Sequence, residues 1–145
     1  MKKEVPGLTI RPLALKDLNP VYRLGLDENI AASSALPWDA RSLAEVFSLD
    51  GTLAFTAARK KEIAGFAVAS VRENTSELLW ILVKTKFRNR GIGRALLDSI
   101  IGALVQNGIS SFSISIFPER DELENFFCKK LDMKKESYTR LSKKL

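Results

Sequence analysis

The chain has 145 residues, 46% of them hydrophobic, enough for one compact domain with a core of its own. It contains no histidine and a single cysteine, Cys128. That excludes an internal disulfide, imidazole-built zinc sites, Ser-His-Asp triads and histidine general bases. The net charge of +6 favours an anionic partner such as a polyphosphate, an acidic protein or nucleic acid.

Leu8-Thr9-Ile10-Arg11 alternates and predicts a first strand. Asn19-Pro20 reads as a cap followed by proline in the first turn of a helix, with Val21, Leu24 and Glu28 at helical spacing. Ser42-Leu43-Ala44-Glu45 has capping-box spacing and opens a second, short helix that Asp50-Gly51 ends. Three strand-like runs follow: Thr52 to Ala58, Ile63 to Val71 and Leu78 to Val83. Their short polar connections predict an antiparallel meander. The third run is apolar on both faces, as in a central strand.

A long helix is predicted from about Gly91 to Gln106, with Ile92, Leu96, Leu97, Ile100, Ile101 and Leu104 on its apolar face and Asn107-Gly108 as its stop. Phe112, Ile114 and Ile116 alternate with serines as a further strand, which Pro118 ends. Leu123, Phe126, Phe127 and Leu131 mark one more helix, and Met133 to Leu141 can form a last strand. The resulting order is β, α, α, β, β, β, α, β, α, β over one domain, residues 1–145. No apolar run reaches the ~18–20 residues of a membrane span, and no secretory signal is apparent, so the sequence reads as soluble and cytoplasmic.

The informative stretch is Val83 to Leu97. A buried strand ends, a basic loop turns, Gly91 and Gly93 follow, and an amphipathic helix begins. The first turn of a helix has unpaired N–H groups and a partial positive charge. Glycines let an anion approach that backbone closely. Lys84, Lys86, Arg88, Arg90 and Arg94 add positive charge. The expected ligand is a phosphate or diphosphate. The Gly-Lys-Ser/Thr of a Walker loop is missing, and so is the third glycine of the dinucleotide fingerprint. A bare Gly-x-Gly also occurs in ordinary turns.

The stretch resembles motif A of the GNAT family of N-acetyltransferases, Arg/Gln-x-x-Gly-x-Gly/Ala, here Arg88-x-x-Gly91-x-Gly93, with Val83 matching the family's upstream valine. The resemblance covers most of the chain: Ile10-Arg11-Pro12 with Asp17-Leu18, Ile63 to Ala67, and Phe127 to Met133 resemble other family segments. It implies an α+β fold with a mixed, mostly antiparallel central sheet flanked by helices. It also implies acetyl-CoA as cosubstrate, a primary amine as acceptor, and direct attack of the amine on the thioester. No metal is called for.

In the resemblance the central strand splays from its neighbour at a bulge, and Ile81, Leu82 and Val83 pair with the pantetheine arm. The diphosphate falls on the N–H groups of Asn89, Arg90, Gly91, Ile92, Gly93 and Arg94, beside Arg88. The family's tyrosine, which protonates the departing thiolate, aligns with Cys128. Cys128 is therefore a candidate proton donor, with packing as the alternative. The family's asparagine aligns with Asp121, and Asn125, one turn later, is a substitute contact to the cofactor. Glu77 matches a position where some members carry the general base. On a regular strand it shares a face with Leu79 and Ile81; the alternative is a solvated turn carboxylate. Tyr22 and Tyr138 are spare phenols.

Leu36-Pro37-Trp38-Asp39 resembles the Pro-Trp-Ser of ribosomal-protein N-terminal acetylases, although the glutamate of those enzymes falls at Ile116 here. Trp38 reads otherwise as core or cleft wall. Small-molecule, peptide and protein amines all stay open as acceptors. A catalytically weak acetyl-CoA-binding module is the alternative that the missing tyrosine raises. Nucleic-acid binding is a further one, with Phe87 the sole aromatic in the basic cluster. A homodimer is compatible with the family, and the sequence specifies no interface.

Overall fold

The computed structural model describes residues 5–30, 37–115, 128, 133–134 and 143. The chain divides into two compact units, 1–115 and 116–145. The first holds β1 (Leu8–Pro12), a 3-10 turn (Leu15–Asp17), α1 (Leu18–Asp27), α2 (Ala40–Ser48), β2 (Leu53–Arg59), β3 (Glu62–Arg72), β4 (Thr75–Val83), a second 3-10 turn (Thr85–Phe87), α3 (Ile92–Gln106) and β5 (Ser111–Ile114). The strands form one sheet in the order β1-β2-β3-β4-β5; the first four are antiparallel and β5 runs parallel to β4. The first eight elements follow the expected order. The expected last helix and strand lie outside the described residues.

Both early helices start earlier than their sequence signals suggest. α1 begins at Leu18, so Pro20 is its third residue and Asn19 is no cap. Asp17 ends the preceding turn instead, and its carboxylate is taken by Arg11 at 2.6 and 2.9 Å and by the Ala14 N–H at 2.7 Å. The guanidinium and that N–H hold the Asp17 carboxyl below the ordinary carboxylate range, although burial opposes them. α2 begins at Ala40 because Asp39 caps it, accepting the Ser42 N–H at 2.7 Å. Ser42 is thus the donor inside the cap, where the sequence pattern made it the cap itself.

Strand alternation sorts the core into two unlike layers. Phe66, Val68, Trp80 and Leu82 face α1 and α2, packing with Val21, Leu24, Leu43 and Trp38. Trp38 stacks on Phe66 at 5.5 Å, meets Trp80 edge-on at 5.2 Å, and donates its Nε1–H to the Tyr22 carbonyl at 3.0 Å. It lies flat on the α1 backbone at Gly25, where a Cβ would stand 2.2 Å from the indole. The other face presents Gly65, Ala67 and Ala69 of β3 to α3, whose Leu96, Leu97 and Ile100 are fully buried. Small residues there let the long helix sit close to the sheet. Among the described residues no helix is long and apolar enough to cross a membrane.

Candidate functional site

β4 changes character at Leu79. Its register with β3 runs Val68 to Trp80 and then Ala69 to Leu78, leaving Leu79 as the extra residue of a bulge. The parallel ladder to β5 runs from Thr75–Ser111 to Leu78–Ile114 and stops there. The bulge and the end of the β5 ladder therefore coincide, and beyond Leu78 this edge of β4 has no strand partner among the described residues.

The open edge can be read atom by atom. Lys84 donates its N–H to the Ala64 carbonyl at 2.8 Å, so in the alternating antiparallel ladder Leu82 also turns its N–H and C=O toward β3. Ile81 and Val83 turn theirs away, to the open side. Of the three expected edge residues, Ile81 and Val83 supply the edge, whereas Leu82 sits between them with its side chain in the core. The Val83 carbonyl is already capped by Arg88 Nε at 2.8 Å.

The loop that follows ends in the mouth of α3. Asn89 and Gly91 both adopt positive φ, 63° and 80°, and turn the chain sharply into the helix. Among the described residues no side chain caps α3 at Gly91, so the Ile92 and Gly93 amides point out of the mouth. A Cβ on Gly91 would meet nothing within 4 Å, and one on Gly93 would stand 3.7 Å from Val83 Cγ2. The mouth of α3 thus opens directly beside the unpaired end of β4. A diphosphate suits the amides, and an amide-bearing arm suits the strand edge.

The basic residues divide by role. Glu62 takes Lys86 at 2.8 Å and Lys84 at 3.2 Å, and these two lysines hold its carboxyl below the usual range. Glu28 accepts from the Thr85 hydroxyl and from the Thr85 N–H at 3.0 Å, with Arg88 Nη2 at 3.5 Å. The Thr85 hydroxyl is the main cause of its lowered pKa. Arg94 lies 4.0 Å from Asp98. Arg90 is exposed with no ion pair to any described residue. The two lysines and Arg88 therefore shape the loop, leaving Arg90 free to meet an anion. Sequence reasoning missed Glu28 and Glu62 as loop anchors; helical spacing marked Glu28 only as a position on α1.

Phe87 is buried under the cationic ends of Arg59 and Lys86, 5.4 and 5.0 Å from its ring centre. It is no platform for a nucleobase.

Glu77 is exposed on the closed half of β4, paired across from Ser70. Because of the bulge it does not share a face with Ile81, as a regular strand would require. Alternation from Ser70 and Val68 puts it on the side of α2 instead. There it borders a cavity of about 480 Å³, with Leu49, Asp50, Ser70 and Ser113 in the wall. Tyr22 is half-buried against Trp38, ring centres 6.3 Å apart. Cys128, in the second unit, is a half-buried free thiol. Asn125 and Tyr138 lie outside the described residues.

This architecture is that of known acetyltransferases. The S18-alanine N-acetyltransferase of Escherichia coli superposes with a TM-score of 0.70 at 23% identity, over 83% of this chain and 74% of that one. An aminoglycoside acetyltransferase from an uncultured soil metagenomic sample reaches 0.77 at 19% identity, over 96% and 97%. The PaiA N-acetyltransferase of Thermoplasma acidophilum, solved with coenzyme A, reaches 0.70 at 20% identity, over 85% and 87%. No curated protein sequence matches the chain. The family model of the acetyltransferase (GNAT) family matches residues 18–133, and the chain belongs to that family.

Proposed function

We propose that residues 1–145 act as one domain that transfers the acetyl group of acetyl-CoA directly to a primary amine. The observation that carries this reading is the adjacency of the uncapped α3 mouth and the open edge of β4. The N–H groups from Asn89 to Arg94 would hold the diphosphate, with the Arg90 guanidinium beside it. Ile81 and the Val83 N–H would pair with the pantetheine arm, and Asn125 would add a side-chain amide. When bound, acetyl-CoA supplies an activated acetyl group and a thiolate leaving group.

The remaining chemistry falls to this chain's own groups. An ammonium must lose a proton before its nitrogen can attack. Glu77, beside a cavity on the α2 side, is the proposed acceptor of that proton. The Cys128 thiol is the proposed donor to the leaving thiolate. The cavity wall carries two carboxylates, Glu77 and Asp50, against one cation, Arg72, a balance that favours a cationic acceptor. Proteins of this fold are named for acceptors as different as a ribosomal-protein alanine and aminoglycosides. The proposed acceptor class is accordingly a primary amine of a small molecule, a peptide or a protein.

The test is release of free CoA thiol across a panel of amines. Amine-dependent release above the hydrolytic background is expected. Tight binding of acetyl-CoA with no amine raising the release would overturn the enzymatic reading and leave a binding module.

A further inference from the structure

The basic loop is held by its own turn bonds and, in addition, from the end of α1. Thr85 opens the second 3-10 turn, and its N–H is one of the donors such a turn leaves without a local acceptor. Glu28, 57 residues earlier, provides that acceptor with one carboxylate oxygen and takes the Thr85 hydroxyl with the other. Arg88 closes the same turn through its N–H to the Thr85 carbonyl at 3.2 Å, while its guanidinium spans from the Val83 carbonyl to Glu28. Glu28 itself is fixed in place. It caps the C-terminus of α1, with its N–H on the Leu24 carbonyl at 3.0 Å, and Asn29 at φ 54° ends the helix. Its side chain is largely buried, only 17% exposed.

We infer that Glu28 is a positioning residue for cofactor binding: from the end of α1 it clamps Thr85 and Arg88, and so sets where the loop delivers Asn89 to Gly91 at the mouth of α3. It touches none of the proposed ligand groups and acts through the turn. The carboxylate is suited to this because it satisfies an N–H, a hydroxyl and a guanidinium at once. The inference rests on the proposed binding of the diphosphate at this mouth.

Isothermal titration with CoA, beside thermal melts, tests it. Glu28→Ala is expected to raise the Kd for CoA on the order of tenfold, since small misplacements of positioning groups are costly. The KM for acetyl-CoA should rise more than kcat falls. Glu28→Gln, which keeps an acceptor and loses the charge, should fall between. Thr85→Val should weaken binding, and the Glu28→Ala, Thr85→Val double variant should be less than additive. Should Glu28→Ala not fold, the Gln and Val variants carry the same test. A lowered Tm with Kd within about twofold of the wild type, or strictly additive effects, would overturn the inference. Gly91→Glu separates the two claims. If it abolishes CoA binding while Glu28→Ala does not, only the clamp is wrong; if it leaves binding intact, the site itself is wrong.

Discussion

The two halves of β4 make different use of the same backbone. From Thr75 to Leu78 the strand is paired on both sides, to β3 and to β5. From Trp80 to Val83 it is paired, among the described residues, to β3 alone. The burial of alternate side chains, Ser76, Leu78, Trp80 and Leu82, continues unbroken through both halves. The bulge turns Leu78 to the α3 face and Trp80 to the α1 face, so both halves are anchored in the core, on opposite layers, and they differ in their backbone hydrogen bonds. A strand can stay anchored through its side chains while one backbone edge is kept for a ligand. The bulge at Leu79 marks the change.

The sharpest way to break this comparison is Gly91→Glu, at the helix mouth facing the open half. The new carboxylate would stand where a diphosphate is expected, and CoA affinity should fall by roughly a hundredfold or more. Space is open around Gly91, so the folding cost should be limited to the left-handed backbone, about 1–2 kcal/mol. Calorimetric titration and a thermal melt on the same variant check both statements. Leu78→Ala should do the reverse in the closed half. Deleting this buried side chain should cost about 3 kcal/mol in a urea titration and leave CoA affinity of the folded protein near its original value.

Acid offers a milder probe. Asp17, Glu28 and Glu62 all have lowered pKa values. Their stabilisation is therefore present above the unfolded carboxylate pKa, around 4, and is lost as pH falls through the lower folded values. Urea midpoints should drop below about pH 4. Asp17→Asn, in contact with a partly exposed Arg11, should remove about 2 kcal/mol at neutral pH and flatten that acid dependence. The smallest expected effect is at Cys128. Cys128→Ala should lower kcat a few-fold, within the usual span of general-acid contributions, with little change in CoA affinity. Equal turnover would assign the thiol to packing.

Much of this was legible in the sequence because it is local. Hydrophobic periods gave the order of the first eight elements, and the glycines at 91 and 93 gave the helix mouth. Helix starts slipped because competing polar residues crowd both. Asp17 lies close to Asn19 and Asp39 close to Ser42; Asp17 is engaged by Arg11, and Asp39 takes the Ser42 N–H, a choice the residue types alone do not reveal. The bulge was hidden because Leu78 to Val83 is apolar throughout, so no alternation exists whose slip would show it. That is why Glu77 lies on a different face from the one a regular strand gives it. The roles of Glu28 and Glu62 were illegible for a simpler reason: their partners lie 57 and 22 residues away.

Gly65 is the smallest feature with the longest reach. A methyl group there would stand 2.7 Å from the Leu82 carbonyl and 3.3 Å from Val83 Cα. Its absence lets β3 and the end of β4 approach closely, and Val83 Cγ2 in turn lies 3.7 Å from where a Cβ on Gly93 would stand. Strand edge and helix mouth thereby share one fixed gauge. A molecule gripping both, as proposed for acetyl-CoA, would have to match that span.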